Sequence, residues 1–229
     1  MSRLRFALVC LCVAGAAVVG GLVACGLGSV TSAKGATPSP TEGASSMRTV
    51  VAIGDSIMDG HGLDPSQAWP VQLAGYNGWR MINLATDGAG FVSVGDNGTI
   101  FADQVDEAVQ LDPQSVILAG SSNDLGESES AIEKSMVSAM DTLHSKLPHT
   151  TIIAVSPVWN EKQQPSQLDL IDDDLASAVK AVGGHYIEIG QPLLNKPGMM
   201  QGDDVHPTAA GQLVIAAAVQ EGLRKQHLV

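Results

Sequence analysis

Five short apolar runs alternate with longer stretches of mixed polarity along residues 49–223. The runs are rich in Val, Ile and Ala and lack a regular polar–apolar alternation, which is typical of parallel strands buried on both faces. The predicted strands are 49–53, 81–84, 115–119, 151–155 and 185–189. Between and after them, the pattern predicts helices over 69–73, 100–110, 130–147, 166–182 and 208–223.

This alternation of strands and helices predicts an α/β fold with right-handed crossovers. Five strands and five helices indicate a three-layer α/β/α sandwich, flavodoxin-like, built around a five-stranded parallel sheet. A domain of about 180 residues can bury enough surface to be stable without covalent cross-links. We therefore expect residues 47–229 to form one such domain.

The amino-terminal segment differs from the rest of the chain in composition. Arg3 and Arg5 precede an apolar stretch of small residues over 6–24, an order that is typical of a secretory signal. The stretch ends in Leu-Val-Ala directly before Cys25, which resembles a bacterial lipobox. We expect residues 1–24 to be a lipoprotein signal peptide and Cys25 to become the lipidated first residue of an exported protein. An ordinary signal peptide and an uncleaved membrane anchor are the alternatives, because about 19 apolar residues can just span a bilayer.

Residues 25–46 are small, polar and proline-containing, so we expect them to form a flexible linker between the lipid and the domain. All three cysteines, at positions 10, 12 and 25, lie before the predicted domain. The domain must therefore be stabilised by its core alone, although we expect it to be exported.

The chain is strongly acidic, with 12 basic and 24 acidic residues and a net charge of −12. Removal of Arg3 and Arg5 with the signal leaves 10 basic against 24 acidic residues, a net charge of −14. Such a protein lacks the basic footprint that nucleic-acid binding needs, and its surface is not suited to anionic lipids. We expect a monomer that contacts the membrane only through the lipid on Cys25.

A serine, Ser56, follows the first predicted strand in a Gly-Asp-Ser turn. The carboxyl ends of parallel strands form the ligand-binding edge of an open α/β sheet. A serine hydroxyl is a weak nucleophile and needs a base within hydrogen-bonding distance. Among six histidines, His206 is the best candidate for that base, because Asp203 and Asp204 precede it and can orient its ring.

Four short motifs resemble, in their order along the chain, those of the SGNH (GDSL) hydrolase family of esterases and lipases. The resemblance covers roughly residues 48–225, and the motifs are Gly54-Asp55-Ser56, Asn83 to Gly88, Gly120 to Asp124, and Asp203-x-x-His206. The third motif of the family usually reads Gly-x-Asn-Asp, and Ser121 stands here in place of that glycine. The substitution leaves Asn123 in position and raises the question of whether its side chain is still correctly aimed.

The resemblance implies a serine hydrolase that cleaves carboxylic esters through an acyl-enzyme, with neither cofactor nor metal. Ser56 would be the nucleophile, His206 the general base, and Asp203 the residue that orients the base. The backbone N–H groups of Ser56 and Gly88 and the side chain of Asn123 would form the oxyanion hole.

Alternatives remain open for three of these roles. Gly90 can replace Gly88 as the oxyanion donor, because both glycines leave room for an ester. Asn123 can instead cap the helix that follows it. Asp204 can replace Asp203, although adjacent side chains usually diverge and the family motif matches Asp203.

Three further groups carry weaker signals. His61 is a candidate for lining the site, and Trp159, which follows the fourth predicted strand, either forms a wall of the substrate pocket or packs in the core. The run of aspartates at 172–174 is either a weak metal site or, more ordinarily, a solvated helix face.

The sequence does not specify the ester. The family includes lipases, simple esterases, thioesterases and polysaccharide deacetylases, and the lack of a long apolar insertion favours short acyl groups or an open site. Two alternatives to a simple esterase are a deacetylase of cell-wall or other polysaccharide and a non-catalytic surface lipoprotein that binds glycan or lipid. A pure binding protein would not need Ser56, Asp203 and His206 together.

Overall fold

The computed structural model of the protein describes residues 47–229. The predicted signal peptide, the predicted lipidation site at Cys25 and the predicted linker over 25–46 lie outside the described residues. No helix within residues 47–229 combines the length and the apolar character needed to cross a bilayer.

A five-stranded sheet forms the centre of the domain, and every strand pair in it is parallel. The strands are β1 (Thr49–Ile53), β2 (Arg80–Asn83), β3 (Ser115–Ala119), β4 (Thr151–Val155) and β5 (His185–Ile187). Their order is β2-β1-β3-β4-β5, which is the flavodoxin-like order. The predicted α/β fold with a five-stranded parallel sheet is confirmed.

Within residues 47–229, six α-helices connect or follow the strands. They are α1 (Ser56–Asp59), α2 (Trp69–Asn77), α3 (Phe101–Leu111), α4 (Glu129–Lys146), α5 (Ser166–Ala181) and α6 (Ala209–Lys225). The sequence pattern predicted five of them and missed α1, because four residues are too few to show a helical period. The fifth strand is shorter than predicted, since the Ile189 N–H leaves the sheet and donates to Ser156 Oγ at 2.9 Å.

Each face of the sheet is covered by its own layer of helices. Val51 and Ile53 of β1 lie in a cluster with apolar residues of α3, α4 and α5. Val50 and Ala52, on the opposite face, pack with residues of α1, α2 and α6. Because both faces of β1 and β3 are buried, only the ends of these strands can contact a ligand. The first three predicted motifs lie at the carboxyl ends of β1, β2 and β3.

Candidate active site

The turn after β1 presents Ser56 at the first position of α1. Asp55 caps this helix: its Oδ1 accepts the backbone N–H groups of Ile57 at 3.0 Å and Met58 at 3.4 Å. These bonds satisfy two N–H groups that a helix start leaves unpaired, and they fix the direction of the Ser56 side chain. Burial raises the pKa of Asp55, and a hydrogen bond from Ser121 opposes that shift.

Two buried glutamines hold the backbone on either side of Ser56. Gln104 of α3 accepts the Gly54 N–H at 2.9 Å and donates to the Gly54 carbonyl at 3.0 Å. Gln212 of α6 donates to the Ile57 carbonyl at 2.9 Å and accepts the Trp69 N–H at 2.9 Å. Because both glutamines are almost fully buried, these bonds form in a low-dielectric interior, where they are strong.

His206 lies between Ser56 and Asp203. Its Nε2 is 3.0 Å from Ser56 Oγ, and its Nδ1 is 2.8 Å from Asp203 Oδ2. A carboxylate only accepts hydrogen bonds, so the contact with ionised Asp203 places the ring proton on Nδ1. Nε2 then keeps its lone pair and can accept the Ser56 hydroxyl proton.

Asp203 is fixed as an anion by its own loop. Its Oδ1 accepts the backbone N–H groups of His206 and Val205, both at 3.0 Å. Hydrogen bonds from the His206 backbone and ring, followed by that from Val205, hold the pKa of Asp203 well below its usual range. Asp204, the alternative orienter, instead contacts Lys162 Nζ at 3.0 Å and does not reach His206.

A cavity of about 210 Å³ opens above Ser56 and includes both predicted oxyanion residues. The Gly88 N–H donates to none of the described residues, and its φ of 74° is one that favours glycine. The Asn123 amide donates to the Ala89 carbonyl at 3.0 Å, which leaves its second N–H for a ligand. Three donors, including the Ser56 N–H, therefore border one cavity.

Two alternative assignments, Gly90 as the oxyanion donor and Asn123 as a helix cap, do not match the geometry. The Gly90 N–H already donates to the Ser93 carbonyl at 2.9 Å, so it is not available to an oxyanion. A Cβ at Gly90 would lie 2.5 Å from Asp124 Oδ1, so this glycine serves close packing. Asn123 lies inside the 3₁₀ turn Ser122–Asp124, which Ser121 caps, and is therefore not a helix cap.

Ser121, the departure from the family motif, connects the first and third motifs with the residue that follows the second. Its Oγ is 2.7 Å from Asp55 Oδ2 and 3.0 Å from the Ala89 carbonyl, and it accepts the Asn123 N–H at 3.1 Å. The hydroxyl thus occupies a fully buried position with three polar partners. The Asn123 side chain still borders the cavity above Ser56, so the serine does not turn it away.

Asp124 anchors the loop that follows Gly88. This buried carboxylate accepts the backbone N–H groups of Phe91 at 2.8 Å and of Val92 and Ser93 at 3.0 Å. Three such bonds to one side chain fix the loop after β2 against the loop after β3.

Trp159 borders a second, smaller cavity next to the nucleophile. This cavity has a volume of about 40 Å³, and its walls include Ile57, Val158, Trp159 and Val205. Trp159 also packs against the core below it. Trp159 therefore both borders a cavity and packs against the core, and its indole Nε1 has no hydrogen-bond partner among residues 47–229.

His61 lines the larger cavity with Ser56 and His206, and its Nδ1 contacts Asp87.

The aspartates at 172–174, which the sequence left open as a weak metal site, include one that is hydrogen-bonded within the protein. Asp172 accepts the Tyr186 hydroxyl. Burial, together with nearby Glu188, raises the pKa of Asp172 to about 7. Within the described part of the chain, no group of three or more His, Cys, Asp or Glu side chains is arranged to hold a metal ion.

Sequence reasoning missed the residues that support the nucleophile. Asp55 could have been recognised, because an aspartate directly before a short helix is a typical N-cap. Gln104 also carries a signal, since it is a polar residue on the stripe formed by Phe101, Val105 and Ala108. The pairing of His61 with Asp87 joins residues 26 positions apart and has no signal in a single sequence.

Comparison with known proteins connects this site to a family. The model of the GDSL-like lipase/acylhydrolase family matches residues 52–214. A GDSL lipase of Mycobacterium tuberculosis is 28% identical over 182 residues, which cover 74% of this chain and 79% of that protein.

Solved structures share the fold at low sequence identity. The psychrotrophic esterase EstA from Pseudoalteromonas sp. is 16% identical with a TM-score of 0.64, over 80% of this chain and all (100%) of that one. A family two carbohydrate esterase from Cellvibrio japonicus is 14% identical with a TM-score of 0.63, over 78% of this chain and 61% of that one. Together with the family match, these similarities identify the chain as a member of the GDSL-like lipase/acylhydrolase family of ester-hydrolysing enzymes.

Proposed function

We propose that the protein hydrolyses carboxylic esters through an acyl-enzyme on Ser56, with His206 as general base and Asp203 as its orienting carboxylate. The observation that carries this proposal is the continuous contact chain from Ser56 Oγ to His206 Nε2 at 3.0 Å and from His206 Nδ1 to Asp203 at 2.8 Å. A non-catalytic glycan- or lipid-binding protein has no use for this chain of contacts, so the geometry favours an enzyme.

In the acylation half, Ser56 Oγ attacks the ester carbonyl carbon while its proton moves to His206 Nε2. Asp203 remains ionised and stabilises the imidazolium that forms. When the tetrahedral intermediate collapses, the bond to the alcohol oxygen breaks, and Nε2 returns the proton to that oxygen. A water molecule then repeats the sequence on the acyl-enzyme and releases the acid, so every proton transfer uses a residue of this chain and no cofactor is required.

Negative charge develops on the carbonyl oxygen during both acylation and hydrolysis of the acyl-enzyme. The N–H groups of Ser56 and Gly88 and the free N–H of Asn123 would receive it. Because the loops of Gly88 and Asn123 are fixed by Asp124 and Ser121, little reorganisation is needed when the charge forms.

The cavity beside Trp159 supports a short acyl group as substrate. The cavity is small, with a volume of about 40 Å³, and its apolar walls of Ile57, Val158 and Trp159 suit a short acyl group. The larger and more polar cavity, bordered by Asp87 and Asp96, suits a hydrophilic alcohol. A small cavity for the acyl group and a larger one for the alcohol favour acetyl esters as substrates. Deacetylation of a polysaccharide is the specific alternative, and the similarity to a carbohydrate esterase supports it.

We also propose that the enzyme is exported and held at the outer face of the cell membrane by a lipid on Cys25. The proposal rests on the sequence of residues 1–25. Replacement Cys25→Ala is expected to release the protein from the membrane fraction or to leave an uncleaved precursor, whereas Cys12→Ala should change neither. Metabolic labelling with a fatty-acid analogue measures the modification, and a signal that persists in Cys25→Ala would rule out this lipidation site.

Replacement Ser56→Ala is expected to abolish labelling by a fluorophosphonate probe and hydrolysis of acetyl esters. Thermal stability should stay unchanged, because the only side-chain hydrogen bond that Ser56 makes within residues 47–229 is to His206. Gel fluorescence and thermal unfolding measure the two effects, with Ser145→Ala on the surface of α4 as the matched control. Equal labelling of Ser56→Ala and the wild type would refute the nucleophile assignment.

Replacement Asn123→Ala tests the side-chain donor. Loss of one oxyanion donor typically costs about 2.7–4 kcal/mol of transition-state stabilisation, so kcat should fall roughly 100- to 1,000-fold. KM should change little, because the donor is aimed at charge that is absent from the ground-state ester. If kcat falls less than about threefold while the protein remains folded, the two backbone N–H groups alone form the oxyanion hole.

Replacement Trp159→Ala is expected to widen the acyl range. Each buried methylene contributes about 0.8 kcal/mol, so the ratio of kcat/KM for butyryl over acetyl esters should rise roughly tenfold. A series of acetyl, butyryl and octanoyl esters of one alcohol provides the measurement. Trp79→Ala is the control, because Trp79 lies at the opposite end of the sheet, before β2. Wild-type activity on octanoyl esters equal to that on acetyl esters would contradict the assignment of this cavity.

A further inference from the structure

A second carboxylate–imidazole pair lies directly against the proposed catalytic histidine. The His61 ring stacks on the His206 ring, with centroids 4.1 Å apart and an angle of 29° between the ring planes. The Nδ1 atom of His61 contacts Asp87 Oδ2. This pair takes no part in the proton transfers described above.

Asp87 depends on His61 for its hydrogen bonding. Among the described residues, the hydrogen bond with His61 is the only one that the Asp87 side chain makes, and its Oδ1 is buried without a partner. A buried carboxylate oxygen without a hydrogen bond is costly, so the remaining contact strongly favours one position of the His61 ring. Asp87 directly precedes Gly88, so the segment that supplies an oxyanion donor also orients His61.

The backbone of His61 is tied to the nucleophile turn and to the loop of the base. The His61 N–H donates to the Ser56 carbonyl at 3.0 Å. The His61 carbonyl accepts from Gln201 Nε2 at 2.8 Å, and the Gln201 N–H donates to the His206 carbonyl at 2.8 Å. Hydrogen bonds thus connect His61 both to the turn that carries Ser56 and to the loop that carries His206. The separation of these two segments sets the distance between base and nucleophile.

We propose that His61, held by Asp87, is a positioning residue for His206; the inference rests on the proposed role of His206 as general base. Hydrogen bonds at Nδ1 and Nε2 lie in the plane of the His206 ring and only weakly resist a displacement of the ring perpendicular to that plane. Such a displacement moves Nε2 away from Ser56 Oγ. Contact with the flat face of His61 opposes this displacement and shields one face of the His206 ring from water.

The size of the effect follows from the geometry of proton transfer. A misplacement of reacting groups by about 1 Å can cost up to about 100-fold in rate, so loss of the stacked ring should lower the rate of acylation by roughly 10- to 100-fold. Binding of the ester should be little affected, because His61 approaches the base and not the carbonyl group. The proposal therefore predicts a fall in kcat without an equal change in KM.

Three variants test the stacking ring of His61 and its hydrogen bond with Asp87 separately. His61→Ala removes both, His61→Asn keeps a partner for Asp87 without a stacking ring, and His61→Phe keeps the ring without the partner. The rate constant of fluorophosphonate labelling and the kcat and KM for an acetyl ester are measured for each, beside thermal unfolding. His149→Ala, at an exposed position after α4, is the control for the loss of an imidazole.

The expected order of labelling rate and kcat is wild type, then His61→Phe, then His61→Asn and His61→Ala, with the last two lower than the wild type by roughly 10- to 100-fold. His149→Ala should equal the wild type. The proposal is overturned if His61→Ala labels at the wild-type rate, or if His61→Asn is at least as active as His61→Phe. A wild-type protein that neither labels nor hydrolyses esters would instead refute the proposed function itself.

Discussion

The site depends on one constraint, which is that the backbone polar groups around Ser56 are buried and must be hydrogen-bonded inside the protein. β1 runs to Ile53 with both faces in the core, and the chain then turns sharply, so buried backbone groups such as the Gly54 N–H and the Ile57 carbonyl need side-chain partners. Gln104 and Gln212 supply those partners from opposite faces of the sheet. The direction of the serine hydroxyl is therefore set by side chains from both helical layers.

In this arrangement the turn that carries Ser56 is held by a buried polar network and not by a covalent cross-link. All three cysteines of the chain precede residue 26, so the domain has no thiol to staple the turn. The network extends through Asp55 to Ser121, and from there to the loop that carries Asn123. Because each of these groups satisfies another, the proposed nucleophile and the proposed oxyanion donors are fixed relative to each other before any substrate binds.

The fold could be predicted, and candidate reacting residues could be proposed, because their signals are local. Strands buried on both faces give uninterrupted apolar runs, and the polar residues at their ends, such as Ser56, stand out against them. The supporting residues could not be predicted in the same way, since the pairing of Gln104 with Gly54 and the stacking of His61 on His206 depend on distances that only the folded chain defines. Ser121 shows a further limit, because the residue type alone does not reveal that its hydroxyl bonds to Asp55.

Asp203 and His206 belong to one short loop, which the backbone closes through bonds between Gln201 and His206 and between Thr208 and Met199, at 2.8 and 2.7 Å. The loop carries both members of the proposed acid–base pair, so their mutual geometry is set within it. The remaining distance, from Nε2 to the serine oxygen, depends on how the loop is held against the turn after β1, which includes the bond from Gln201 Nε2 to the His61 carbonyl. A substitution that loosens this attachment would weaken the proposed proton transfer without disturbing the sheet.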